Sequence, residues 1–294
     1  MALPAWLQTL LDEAPTLLDG AWGTQLQQRG LPLGQMPDVW NLSQADRVEE
    51  VARAYVEAGS QIILTNTFRA NRIALANCAE VDRVREINIA GVEISRRASA
   101  GAARVFASIG PSGKLLVTRT ITEEQLHDAF AEQAAALAEG GADALVIETM
   151  ADLKEIELAI DAAKPTGLPL VACMVFDSGK QKDRTMLGVT PERAAEALVN
   201  WGADVIGANC GIGIEGYIPI AERFSAVTSK PIWIKANAGI PELVNGETRY
   251  NMTADVFASH LGALVAAGVS FVGGCCGTSP EFISTLKARR ASMQ

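Results

Sequence analysis

Short apolar runs alternate along the chain with longer segments whose apolar residues recur at helical spacing. Each run has a continuous apolar centre, such as Ile62-Ile63-Leu64, and ends in a Gly, Asn, Thr or acidic residue. Runs of this kind are typical of parallel strands that are covered on both faces. Eight strands are predicted, at 16–19, 61–66, 104–109, 144–148, 168–175, 205–209, 231–237 and 270–274.

Helices are predicted between these strands. They are expected near 43–58, 79–99, 124–139, 152 onwards, 191–201, 215–229, 254–267 and 280–290. Their start signals are two capping-box spacings and two cap residues that precede a proline: Thr122 with Gln125, Asp152 with Glu155, Thr190-Pro191 and Ser279-Pro280. Eight strand–helix units without a composition break favour an α/β fold, a single (β/α)8 TIM barrel over residues 1–294, with 1–15 as an extra N-terminal helix at the barrel floor. An open doubly wound sheet is the alternative.

Composition and charge narrow the class of protein. Apolar residues make up 49% of the 294 residues and charged residues only 20%, as in folded globular proteins. The formal net charge is −9 and basic residues form no block, so a nucleic-acid partner is not expected. No apolar window approaches the roughly 18 residues of a membrane helix, and the N-terminus lacks the basic segment of a secretory signal. A cytoplasmic protein that does not bind membranes is expected.

The predicted strand ends carry most of the residues capable of chemistry. In a (β/α)8 barrel, catalytic groups lie where strands end and loops begin. The residues at those ends include Asp19, Gly20, Asn66, Ser108, Glu148, Asn209, Cys210, Lys235, Asn237, Cys275 and Cys276. The chain has five cysteines, an odd number that fits a reducing compartment better than a disulfide framework. The other two, Cys78 and Cys173, are predicted to be small core residues.

Cys275 and Cys276 are adjacent and have glycines on both sides. Gly274 and Gly277 allow a sharp turn, so that both sulfurs can face one place. Adjacent cysteines can also form a strained vicinal disulfide, or be two small residues without chemistry. Cys210 adds a third sulfur at another strand end. Three thiolates at a barrel mouth favour a Zn²⁺ site with one open position, which is the catalytic arrangement.

Six segments of the chain resemble the homocysteine S-methyltransferase family. They occur in the family's order and extend from residue 16 to residue 282, and the adjacent cysteines with an upstream Asn-Cys are highly specific. The segments are Asp19-Gly20-Ala21-Trp22-Gly23-Thr24, Thr65-Asn66-Thr67-Phe68, Glu148-Thr149, Asn209-Cys210-Gly211, Ala236-Asn237-Ala238-Gly239 and Gly273-Gly274-Cys275-Cys276-Gly277-Thr278.

The resemblance implies a (β/α)8 barrel in which Cys210, Cys275 and Cys276 hold Zn²⁺. The sulfur of homocysteine would bind this zinc and be methylated to give methionine. Asp19 and Glu148, with backbone groups of the 19–23 loop, would hold the amino acid end of the substrate. The other predicted substrate contacts are Gly20, Ala21, Asn66 and Asn209, although the two asparagines could instead satisfy backbone groups of their own loops.

Elementary chemistry agrees with these roles. A thiol with a pKa near 8.5 is mostly protonated at pH 7, and coordination to zinc ionises it. The thiolate can then displace a leaving group from a methyl carbon without a general base. An acidic pair such as Asp19 and Glu148 suits the substrate ammonium group.

The sequence leaves the methyl donor open. The segment 235–242 and Tyr250 resemble the homocysteine-binding barrel of cobalamin-dependent methionine synthase, which favours a methylcorrinoid protein as donor. S-methylmethionine or another methylated small molecule would also satisfy the chemistry. Betaine is disfavoured, because Arg69 stands where betaine-using relatives carry a tyrosine.

Two other functions remain open at this point. Lys235 could form a Schiff base, as in an aldolase on the same scaffold, or it could pair with a carboxylate inside the barrel. The chain could also be a methyl-acceptor subunit that works only when it is docked to a corrinoid protein. Tyr250 could shape the substrate mouth or simply pack.

Overall fold

Eight parallel strands close into a barrel in the computed structural model, which describes residues 3–244 and 247–293. The barrel strands are β1 Thr16–Leu17, β2 Ile62–Ile63, β3 Arg104–Ile109, β4 Ala144–Met150, β5 Leu170–Met174, β6 Val205–Gly213, β7 Ile232–Asn237 and β10 Val269–Gly274, while β8 Glu242–Val244 and β9 Glu247–Arg249 form a separate antiparallel hairpin. Around the barrel each strand pairs with its neighbour in chain order, and β10 pairs with β1. The N–H of Gln61 donates to the carbonyl of Leu17 at 2.8 Å and joins the first strand to the second. The predicted (β/α)8 barrel is confirmed, because an open doubly wound sheet would reverse its strand order.

Helices surround the barrel. Within the described residues they are α1 Ala5–Asp12, α2 Trp22–Gln28, α3 Trp40–Ser43, α4 Ala45–Ala58, α5 Val84–Ser99, α6 Glu123–Glu139, α7 Leu153–Ala163, α8 Pro191–Asn200, α9 Ile214–Ser225, α10 Ala254–Ser259, α11 Leu261–Ala266 and α12 Pro280–Ala291. None of these helices is both long enough and apolar enough to cross a bilayer. The segment predicted as one helix near 254–267 is divided at His260, and the helix predicted from 79 becomes regular only at Val84.

The predicted helix starts hold in part. Thr122 forms a complete capping box with Gln125, and Thr190 accepts a hydrogen bond from the third residue of α8. Asp152 caps α7, but Glu155 does not complete a box, because its carboxylate accepts hydrogen bonds from the N–H and the hydroxyl of Ser112 instead.

Aromatic side chains fill the barrel interior near its N-terminal end. Trp233 of β7 stacks on Phe106 of β3, with ring centroids 5.9 Å apart, and also contacts Phe271 of β10. Trp6 and Leu7 of α1 pack against this cluster, so α1 covers the floor. Helix α1 lies in the segment predicted as an N-terminal extension, of which residues 1 and 2 lie outside the described part. The packed floor leaves the carboxyl ends of the strands for chemistry.

Candidate active site at the barrel mouth

A pocket with a volume of about 340 Å³ opens at the carboxyl ends of the barrel strands. The loops that follow the strands supply its walls. The predicted site residues on these walls are Gly20, Ala21, Asn66, Glu148, Asn209, Cys210, Cys275 and Cys276. Asp19 is the exception, since it is fully buried and lies behind the wall.

The three cysteines of the strand ends converge. The Sγ atoms of Cys210, Cys275 and Cys276 all lie within 4.8 Å of one another, and those of Cys210 and Cys276 are 3.7 Å apart. Two thiolates bound to one tetrahedral zinc ion at 2.3 Å would be about 3.8 Å apart. The other two cysteines lie elsewhere: Cys173 is buried in the barrel interior, and Cys78 packs beside a small cluster outside it.

The backbone aims these sulfurs by leaving regular strand geometry. Cys210 adopts a left-handed conformation with φ of +64°, and the register between β6 and β7 shifts just after it. The hydroxyl of Tyr217 donates to the Cys210 carbonyl at 2.6 Å and holds this bulge in place. At Gly277, φ is +81° and a Cβ would collide with the ring of Tyr250, so glycine is required there. Such local irregularity is characteristic of functional sites.

Strand β7 fixes the adjacent cysteines from the other side. The Cys275 N–H donates to Ala236 O at 2.6 Å, and the Ala238 N–H donates to Cys276 O at 2.9 Å. Asn237, between these two alanines, is buried, and its Oδ1 has no hydrogen-bond partner among the described residues. These backbone bonds hold both cysteines against the end of β7.

The thiols resist ionisation in the absence of a cation. The hydrogen bond with Cys275 lowers the pKa of Cys210, but the bond with Cys276 and burial outweigh it and raise that pKa to about 12. The pKa of Cys275 is also raised, by its hydrogen bond with Cys210 and by burial. Each thiolate would face the charge of its neighbours in a site with little water. A divalent cation removes this penalty, so the donor set fits a metal such as Zn²⁺.

Glu148 lines the same pocket as the cysteines. Its Oε1 accepts a hydrogen bond from the Ser108 hydroxyl at 2.6 Å, and its Oε2 accepts one from Asn209 Nδ2 at 3.2 Å. Asn209 is itself fixed, because its Oδ1 accepts the Thr149 N–H at 2.7 Å. Burial raises the pKa of Glu148, and the positive charge of Lys235 opposes that shift. Glu148 is thus a held carboxylate that faces the pocket.

Lys235 and Asp19 form a buried ion pair beside Glu148. The other Asp19 oxygen, Oδ2, accepts hydrogen bonds from Trp22 Nε1 and from the Leu64 N–H, each at 2.7 Å. Burial lowers the pKa of Lys235, but the charges of Asp19 and Glu148 outweigh burial and raise it above its ordinary value. A lysine held as a cation is a poor amine nucleophile, so the structure supports pairing and not Schiff-base chemistry.

Asn66 and Arg69 belong to the loop after β2. The Asn66 amide donates to Pro37 O at 2.8 Å and to Asn41 Oδ1 at 3.0 Å, so it supports the loop as well as facing the pocket. Arg69 is exposed and also lines the pocket.

Sequence reasoning missed several pocket residues. Trp22, Thr24 and Phe68 lie in segments that resemble the family but were not predicted as contacts. They line the pocket, as does Asp38, and Ser108 binds Glu148. Ser108 was visible at a strand end, but its partner was not. No sequence pattern points to Asp38, because it enters the pocket wall through a short 3₁₀ turn over Pro37–Val39. Burial in the wall raises its pKa to about 6.

Comparison with known proteins gives consistent matches. The family model described as homocysteine S-methyltransferase matches residues 16–290. Methionine synthase of Mycobacterium tuberculosis is 30% identical over 98% of this chain and 26% of its own length, and that of Mycobacterium leprae is 30% identical over 92% and 24%. The chain therefore spans about a quarter of the length of these curated relatives.

Solved structures show the same likeness. The metallated form of the homocysteine methyltransferase MmuM from Escherichia coli has a TM-score of 0.79 and 25% identity, covering 96% of this chain and 99% of that one. The carboxyl transferase domain of Rhizobium etli pyruvate carboxylase, at 14% identity and a TM-score of 0.54, covers 97% of this chain and 47% of that one. This second likeness shows the fold alone.

Proposed function

This chain belongs to the homocysteine S-methyltransferase family, and from that premise we propose that it transfers a methyl group to the thiol of homocysteine and releases methionine. One observation carries the proposal: a single pocket is lined both by three converging cysteine sulfurs and by a buried carboxylate. The sulfurs suit the reacting end of homocysteine, and the carboxylate suits its ammonium group.

We propose Zn²⁺ as the metal, held by Cys210, Cys275 and Cys276. When bound, Zn²⁺ supplies a Lewis acid that keeps the homocysteine sulfur ionised near neutral pH. The protein's own part is to hold the three sulfurs in place through the bulge at Cys210 and the backbone bonds from β7. All five cysteines are free, and we place the protein in the reducing cytoplasm.

The part of the pocket wall around Glu148 orients the amino acid end of the substrate. Glu148, fixed by Ser108 and Asn209, accepts hydrogen bonds from the substrate ammonium. Residues 20–23 also line the pocket, and backbone groups of this loop would hold the substrate carboxylate. Holding both ends of the amino acid fixes the direction in which its sulfur points.

The transfer balances without a redox partner. The homocysteine sulfur forms a bond to the methyl carbon, the bond from that carbon to the donor breaks, and its electron pair leaves with the donor. The thiol proton goes to solvent. Arg69 adds an exposed positive charge to the pocket, which disfavours a sulfonium or quaternary ammonium donor. We propose a protein-bound methylcorrinoid as the donor, with S-methylmethionine as the second candidate.

A donor panel tests the activity. Zinc-loaded protein and homocysteine are offered methylcobalamin, a methylcorrinoid protein, S-methylmethionine and betaine, and methionine is measured. We expect methionine from the corrinoid donors first. Protein that binds homocysteine but turns over only with the corrinoid protein would be a docked acceptor subunit. Protein that takes up zinc but binds no homocysteine would overturn the proposed function.

A further inference from the structure

The buried ion pair of Lys235 and Asp19 affects which substrates the pocket can bind. The exposed fraction of the side chain is 2% for Lys235 and 0% for Asp19. Lys235 nevertheless contributes to the pocket wall, whereas Asp19 does not. The pocket is therefore lined by the lysine of this pair and not by its aspartate.

Asp19 has little capacity left for a substrate. Its Oδ1 is taken by Lys235, and its Oδ2 already accepts from the Trp22 indole and the Leu64 N–H. Both of these donors are held by the fold, since Trp22 begins α2 and Leu64 follows β2. Asp19 is also fully buried and does not line the pocket, so a substrate ammonium would have to pass Lys235 to reach it.

Glu148 is in the opposite situation. It lines the pocket and accepts one hydrogen bond at each oxygen, from Ser108 and from Asn209. A carboxylate oxygen can accept two hydrogen bonds, so each oxygen keeps room for a further donor. Neither of the present donors is charged, and the cation that Glu148 feels is Lys235.

We infer that Lys235 is a specificity-determining residue of this pocket: Asp19 holds its ammonium group away from Glu148, and Glu148 alone is left to bind the ammonium of the substrate. Asp19 is then a positioning residue that acts through Lys235. The two carboxylates and one lysine leave a net charge of −1, which a single substrate ammonium neutralises. This inference rests on the proposed function, because it takes the substrate to be an amino acid.

A single variant at Asp19 and a double variant at Asp19 and Lys235 should have different effects on substrate binding. In Asp19→Asn, the new amide can keep its oxygen toward Trp22 and Leu64, but its NH₂ group then faces the Lys235 ammonium. Lys235 must turn to Glu148, the other carboxylate whose charge raises its pKa. The substrate ammonium now competes with a tethered cation. Removing that cation as well, in Asp19→Asn/Lys235→Met, frees Glu148 again.

The test is the affinity of zinc-loaded protein for homocysteine, measured by calorimetry. We expect Asp19→Asn to bind at least about 30-fold more weakly, as when a buried charge pair loses one partner. The double variant should recover to within about fivefold of the wild type. Metal content and thermal unfolding of each variant separate loss of affinity from loss of the fold. A double variant as weak as Asp19→Asn would overturn the inference, because Asp19 would then contact the substrate directly.

A second ligand removes structural explanations. In 4-mercaptobutanoate the thiol and carboxylate of homocysteine are kept and the ammonium is absent. The Asp19→Asn change should therefore weaken binding of this analogue by less than about threefold, since no ammonium competes with Lys235. An equal loss for both ligands would overturn the inference. If wild-type protein binds neither ligand, the failure lies in the proposed function and not in the role of Lys235.

Discussion

The thiol side and the carboxylate side of the pocket differ in how their charges are balanced. On the thiol side, Cys210, Cys275 and Cys276 lie within 4.8 Å of one another, and each resists losing its proton. Tyr250 adds a hydrogen bond to Cys276. On the carboxylate side, Asp19 and Glu148 are surrounded by donors, with Lys235 between them. One side is incomplete until a cation arrives, whereas the other carries its own.

Because of this difference, we expect the thiol side to depend on metal binding, whereas the carboxylate side depends on the folding of the chain. Under the proposed function, the thiol side would gain its free energy from the bound metal, which would link metal binding to the order of the site. The carboxylate side already has Asp19 paired with Lys235 in the free protein, and its charges were desolvated when the chain folded. Loss of a thiol should therefore appear as a loss of metal, and loss of a charge should appear as a loss of folding stability or substrate affinity.

Removing one thiol is the strongest test of the comparison. We expect Cys275→Ser to lose its zinc and all methyl transfer, a larger effect than the roughly 10- to 100-fold that loss of a supporting group costs a metal site. Metal analysis of protein purified under reducing conditions checks this, with about one zinc per wild-type chain. Cys173→Ser is the matched control and should keep its metal, because Cys173 lies in the barrel interior. Full zinc content in Cys275→Ser would end the metal assignment.

The thiol side could be predicted from the sequence because its signals are local. Adjacent cysteines between glycines are rare, and their position at a predicted strand end places them at the barrel mouth. The fold was also predictable, since each strand and helix carries its own period. Closure was not, because it depends on contacts such as the one between Gln61 and Leu17, which no pattern records.

The carboxylate side could be predicted only as separate residues. Lys235 lies 216 positions from Asp19, and nothing in the spacing says which carboxylate the lysine takes. Helix α2 was missed for a related reason: it is seven residues long and begins without a capping side chain. The bulge that turns Cys210 into a left-handed conformation likewise depends on register between strands and not on the residues themselves.

Removing Lys235 alone tests the carboxylate side in the free protein. Lys235→Met leaves Asp19 buried without its cation, and we expect the free energy of unfolding to fall by about 3–5 kcal/mol. The double variant Asp19→Asn/Lys235→Met should recover most of this loss. Urea unfolding of metal-free protein measures both. Cys276→Ser in the same metal-free state should change stability by less than about 1 kcal/mol, since it leaves no charge unpaired. Equal losses for both single changes would remove the distinction between the two sides.

Glu148→Gln tests whether this carboxylate binds the substrate. The amide keeps the shape but loses the charge, and we expect homocysteine affinity to fall by about 1.5–3 kcal/mol with zinc retained. Calorimetry of zinc-loaded protein measures the affinity. Glu155→Gln is the control: Glu155 is also buried but binds Ser112 and does not line the pocket. Unchanged affinity in Glu148→Gln would leave that residue a structural role only.

The smallest expected effect comes from two buried tyrosines that are matched across the comparison. Tyr217 donates to Cys210 O at 2.6 Å on the thiol side, and Tyr55 donates to Ala21 O at 2.9 Å beside the carboxylate wall. Each change to phenylalanine removes one hydroxyl and costs about 0.5–1.5 kcal/mol. Tyr217→Phe should lower zinc affinity, because it frees the strained Cys210 backbone, and Tyr55→Phe should lower homocysteine affinity while zinc stays bound. If both changes weakened the binding of the same ligand, the two sides would respond together, and the separation between them would be wrong.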